Sequence, residues 1–147
     1  MKVLVVLSSL LIVAYGLAPE VLEAIKNHAI EVGGKCKAEI GASDDDIAPI
    51  KHHSLPTTEK GKCFLACMHK KGGFQTEDGK INKDSALHAI EKLKNMDAEY
   101  YEKVKQVIET CMDKVHDTDN ECDTAMSMYE CALAEKEKVG LPKIDFD

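Results

Sequence analysis

Arginine and tryptophan are absent from the 147 residues, and three phenylalanines with four tyrosines make up the whole aromatic complement. Without arginine the chain lacks the bidentate donor that reads bases and phosphates. Its 19 basic residues are lysines scattered among 26 acids, net −7, so the clustered positive charge that nucleic acid requires is missing. There is no Cys-x-x-Cys knuckle and no His-x(3-5)-His pair, which excludes a structural zinc site. Asp44, Asp45 and Asp46 are consecutive, whereas a calcium loop wants alternate positions and a glycine at its turn. No Gly-x-Ser-x-Gly elbow is present. His116-Asp117 lacks the adjacent cysteines and glycine-rich loop of a secreted calcium-dependent lipid hydrolase. No catalysis, metal or cofactor is expected.

Long apolar runs are also missing, with one exception. After Lys2, residues Val3 to Tyr15 carry no charge, and the run ends in small residues at Gly16 or Ala18. It is shorter than the roughly 20 residues of a spanning helix and reads as a signal peptide, 1–18, cleaved after Gly16 or Ala18. The remainder, 19–147, has the length of one domain and no segment for membrane insertion. Loss of Lys2 with the leader takes the charge to −8. Export places all six cysteines in an oxidising compartment, where an even count reads as three disulfides and leaves no thiol nucleophile.

Prolines are few, and apolar residues recur at three- and four-residue steps, which predicts an all-α fold. A first helix opens at Pro19 with a stripe of Leu22, Ile25, Ala29, Val32 and Cys36, interrupted by Gly33-Gly34 at about 1 kcal/mol per glycine. Ser43 caps a short second helix that buries Ile47 and Ile50 and is closed by Leu55-Pro56. Thr57 or Thr58 caps a third, running to Lys71 and stopped by Gly72-Gly73. A loop from Phe74 to Lys83 leads to a fourth helix capped near Asp84, with Ala86, Ala89, Ile90 and Leu93 on one side. The fifth, Asp97 to about His116, has a seam of Tyr101, Val104, Ile108, Cys111 and Val115. After a turn at Asp117 to Asn120, a sixth carries Cys122, Met126, Tyr129 and Leu133.

The nine-residue step from Cys122 to Cys131 turns half a circle on a helix, so the sixth helix must lie between two partners. Cys63 and Cys67, four apart on one helix, are expected to reach different helices. Successive cysteines, Cys36, Cys63, Cys67, Cys111, Cys122 and Cys131, are separated by 26, 3, 43, 10 and 8 residues. This spacing resembles that of the six-cysteine insect odorant-binding and pheromone-binding proteins, across the whole mature chain. The resemblance implies bridges Cys36–Cys67, Cys63–Cys122 and Cys111–Cys131, and a compact six-helix domain enclosing an apolar cavity. It implies a secreted, extracellular carrier of small hydrophobic molecules, with a membrane odorant receptor as a possible partner and a monomer or weak homodimer as the assembly. The alternative is a secreted helical signalling or structural protein without a cavity.

Candidate cavity residues are Leu65 and Met68, Phe74 and Ile81, Ala86 and Ile90, Val104, Val107 and Ile108, then Met128, Tyr129, Ala132 and Leu133. The Tyr129 hydroxyl is a candidate to hydrogen-bond a ligand's polar group. In the tail, Ile144 and Phe146 alternate with acids as a strand-like lid would, so Phe146 joins the list; a frayed terminus is the competing reading. Six histidines make pH-dependent release conceivable, against the plainer reading of surface histidines.

Overall fold

The computed structural model describes residues 17–146; residues 1–16, most of the expected signal peptide, lie outside them. The described residues form seven helices in order: α1 Pro19–Ile40, α2 Asp44–Lys51, α3 Glu59–Lys71, α4 Lys83–Ala89, α5 Leu93–Met96, α6 Ala98–Lys114 and α7 Glu121–Val139. Among the described residues the only extended pairing is an isolated bridge, Gln75 to Ile81, and no helix is long and apolar enough to cross a membrane.

Local chemistry sets most boundaries. Pro19 stands in the first turn of α1, where its missing N–H costs nothing. Ser43 accepts from the Asp46 amide while the Asp46 carboxylate accepts from the Ser43 amide, a reciprocal cap on α2. Thr58 caps α3 by accepting from Gly61, and Asp97 caps α6 by accepting from Tyr100. Gly61 itself is required by packing, since a Cβ there would meet the Asp46 carbonyl and Pro56 at 2.8 Å.

Three expectations are corrected. α1 runs unbroken through Gly33 and Gly34; packing of Val32 and Cys36 in the first core holds the helix past two weak formers. α2 ends at Lys51 with Pro49 inside it, and Pro56 lies in the following loop. The fourth helix is capped by Asn82, not Asp84, and divides into α4 and α5. Between them the amides of Glu91 and Leu93 reach back three residues, to His88 and Ile90, in place of four. That tighter turn lets Ile90 and Leu93 both enter one core.

Three disulfides hold the helices together, paired as the family resemblance implies. Cys36–Cys67 ties α1 to α3, Cys63–Cys122 ties α3 to α7, and Cys111–Cys131 ties α6 to α7. α3 packs on α1 and α7, and α6 on α7, α4 and α5. Three apolar clusters result. One joins α1, α2 and α3 through Cys36, Ala42, Ile47, Phe64 and Cys67. A second gathers Ala86, Ile90, Ile108, Met112 and Met128. The third sets Leu65 and Ala66 of α3 against Cys122 and Ala125 of α7.

Candidate functional site

A cavity of about 350 Å³ opens beside the first cluster, a volume at the lower end of the roughly 300–1,000 Å³ that small-molecule sites occupy. α1 contributes Ala29, Ile30, Gly33 and Gly34, α2 contributes Ile47 and Ile50, and α3 contributes Phe64 and Met68; Phe146 of the tail completes the wall. The two glycines make this shape possible, because side chains there would occupy the space. A Cβ on Gly33 would sit 3.7 Å from the Phe64 ring, and one on Gly34 would meet nothing within 4 Å.

Charge is confined to Lys37, Asp44 and Lys51. Lys37 and Asp44 form an ion pair, and the Lys37 hydrogen bond holds the Asp44 carboxyl below its usual range. The apolar lining with a few charged groups suits an amphiphile whose body is buried and whose polar end faces these residues. Ile30, 58% exposed, is the most exposed large apolar side chain described, and it borders this cavity.

Phe146 reaches the cavity because the tail is anchored. Ile144 is buried, and His53 Nε2 donates to its carbonyl at 2.8 Å. Lys136 Nζ donates to His53 Nδ1 at 2.9 Å. A carbonyl can only accept and an ammonium can only donate, so the two partners together fix the neutral Nε2–H tautomer. Burial, then the Lys136 charge, lowers the His53 pKa.

Of the candidates from sequence, Met68 and Phe146 line this cavity. Leu133 lines a smaller recess near the tail. Phe74, Ile81, Ala86, Ile90, Val104, Ile108 and Met128 come together in the second cluster. Leu65 and Tyr129 belong to the third. Val107 is buried and Ala132 partly so. The Tyr129 hydroxyl, offered as a ligand contact, donates to the Ile50 carbonyl at 3.3 Å and joins α7 to α2; burial raises its pKa to about 12. Missed by the sequence reading were the α1 face, the isoleucines of α2 and Phe64. The available signal was the glycine pair inside an otherwise helical stripe.

Two other groups have structural roles. Asp117 accepts from the Ile81 amide at 2.8 Å and so pins the loop before α4. His69 Nδ1 is sealed from solvent with no hydrogen-bond partner among the described residues, and burial pushes its pKa down to about 4. The ring lies 5.9 Å from that of Phe74.

The PBP/GOBP family model matches residues 18–135. General odorant-binding protein 19d of Drosophila melanogaster is 33% identical over 119 residues, covering 81% of this chain and 79% of the relative. Odorant-binding protein 10 of Aedes aegypti is 32% identical over 114 residues, covering 76% and 71%. Among solved structures, odorant-binding protein 28a of Drosophila melanogaster superposes with a TM-score of 0.66 at 25% identity, covering 82% of this chain and 98% of its own.

Proposed function

As the chain belongs to the PBP/GOBP family, we propose that it is a secreted carrier which holds a small hydrophobic molecule between α1, α2 and α3, closed on one side by Phe146. Residues 1–18 serve as its signal peptide, and it catalyses nothing. The observation that carries this reading is the cavity itself, apolar over most of its wall and charged only at Lys37, Asp44 and Lys51. Met68 adapts the wall to ligands of different shape, as an unbranched thioether does.

The energetics favour a ligand of moderate affinity. Burying ten methylenes gains about 8 kcal/mol, against an association cost of at least about 4 kcal/mol. One hydrogen bond to the polar end adds about 1 kcal/mol. Low-micromolar binding, about 8 kcal/mol, therefore demands a longer chain or a close fit.

The test is displacement of a fluorescent apolar probe by alcohols, acids and esters of increasing length. Each added methylene should tighten binding about fourfold until the cavity is full, the equivalent of about 0.8 kcal/mol. A protein that binds neither probe nor competitor would be a helical signalling or structural protein, and the carrier reading would fall.

A further inference from the structure

A second recess, about 190 Å³, lies between His52 and His53 after α2, Leu133, Lys136 and Glu137 on α7, and Leu141 and Lys143 in the tail. It is smaller than the roughly 300 Å³ at which sites for whole small molecules begin, so it suits a head group or an ion. Its charge runs against that of the chain. In a protein of net −7, this recess brings two lysines together with a single carboxylate, Glu137, on its wall, beside the neutral His53 ring. Asp145 is the other acid near His53.

Lys136 is the centre of the cluster. An ammonium has three donors; one goes to His53 Nδ1, and the others have no acceptor among the described residues. Neither Lys136 nor Lys143 forms an ion pair with a described acid, unlike Lys114 and Lys138 of the same region, which both reach Glu135. The partly buried Lys136 instead has Lys143 close enough to lower its pKa, after burial itself. His53, which fixes Lys136, holds a left-handed backbone with φ 58°, a conformation uncommon for a residue with a side chain. Such strain persists where surrounding structure requires it.

We propose that this recess is an oxyanion site, which takes one phosphate or carboxylate group on the free donors of Lys136 and on Lys143. The group supplies acceptors to the Lys136 donors left unused and balances the second lysine, which Glu137 alone does not. It also links α7 to the tail, one residue before Ile144 and three before Phe146, and so holds the tail down. The site does not depend on what fills the larger cavity.

The experiment is an NMR titration of the oxidised protein at neutral pH and constant ionic strength, following the His53 ring nitrogens and the exchange of tail amides. Three arms are run: inorganic phosphate, phosphatidylcholine vesicles with and without phosphatidic acid, and chloride. The site predicts a saturable change at His53 and slower exchange at Ile144 in the phosphate arm, or in the phosphatidic acid arm when the group arrives on a lipid. Lys143→Gln should weaken that response about tenfold or more, the loss of one charged hydrogen bond, while Lys105→Gln on α6 leaves it unchanged. A response matched by chloride, a response unaltered by Lys143→Gln, or none in any arm would overturn the proposal.

Discussion

Replacing Gly33 by leucine pulls stability and binding in opposite directions, which few substitutions in a small protein do. Gly33 is mid-helix in α1 and carries no positive φ, so a side chain is compatible with its backbone. Removing a helical glycine gains about 0.8–1.0 kcal/mol with alanine and nearly as much with leucine. For a domain of this size that is a rise of about 3–4 °C in Tm. The added atoms project toward Phe64, whose ring a Cβ would approach to 3.7 Å, an ordinary contact. Beyond that, the leucine side chain extends into space the ligand would use. If its four carbons exclude four ligand methylenes, about 3 kcal/mol of burial is lost and affinity falls about 200-fold. Gly33→Ala is the companion variant, with the same stability gain and only about a fourfold loss of affinity. Thermal unfolding and probe displacement on the same samples measure both quantities. Unchanged affinity in Gly33→Leu would refute the assignment of the ligand to this cavity, and a lower Tm in Gly33→Ala would refute the continuous helix.

Other consequences are open to similar tests. Phe146→Ala removes one wall and should weaken ligand binding about tenfold while leaving urea stability nearly unchanged, since a partly buried aromatic near the terminus stabilises the bound ligand more than the fold. The Cys63–Cys122 bridge closes a 59-residue separation and Cys111–Cys131 one of 20. Replacing each pair by alanines should cost about 4 and about 3 kcal/mol in chemical denaturation, on the loop-entropy relation. His69 gives a pH dependence of defined sign. The unfolded ring takes up its proton near 6.5 and the buried ring only near 4, so its contribution is complete above the unfolded value and is lost as pH falls from 6.5 toward 4. At pH 4.5 the loss is about 2–3 kcal/mol. His69→Leu should remove that part of the acid destabilisation in urea melts at pH 7 and 4.5.

Most helix ends were legible in the sequence because short-range chemistry specifies them. Ser43, Thr58 and Asp97 accept from orphan backbone amides, and Pro19 has no amide to satisfy, wherever the rest of the chain goes. The half-turn between Cys122 and Cys131 placed α7 between two neighbours before any pairing was known, and α3 and α6 are those neighbours. The pairing itself rested on family resemblance. The site was less legible, because a helical stripe does not say whether its residues meet side chains or a void. Ile90, Ile108 and Met128 have the periodicity of a pocket wall and are buried in the second cluster. Gly33-Gly34 has the local propensity of a break and lies in an intact helix facing the cavity. Tyr129 offered its hydroxyl to a ligand on paper, but α2 ends where the Ile50 carbonyl meets it. Long-range contacts decide each of these, and periodicity carries no information about them.

The central claim is where the ligand sits, and isotope-filtered NMR addresses it most directly. Labelled oxidised protein is saturated with an unlabelled long-chain alcohol, and cross-peaks are collected between ligand protons and protein methyls. Contacts are expected to Met68 of α3, to Ile47 and Ile50 of α2, and to the Phe146 ring of the tail, which together line this cavity. Contacts confined to Ile90, Ile108 and Met128 would contradict it and move the binding site into the second cluster.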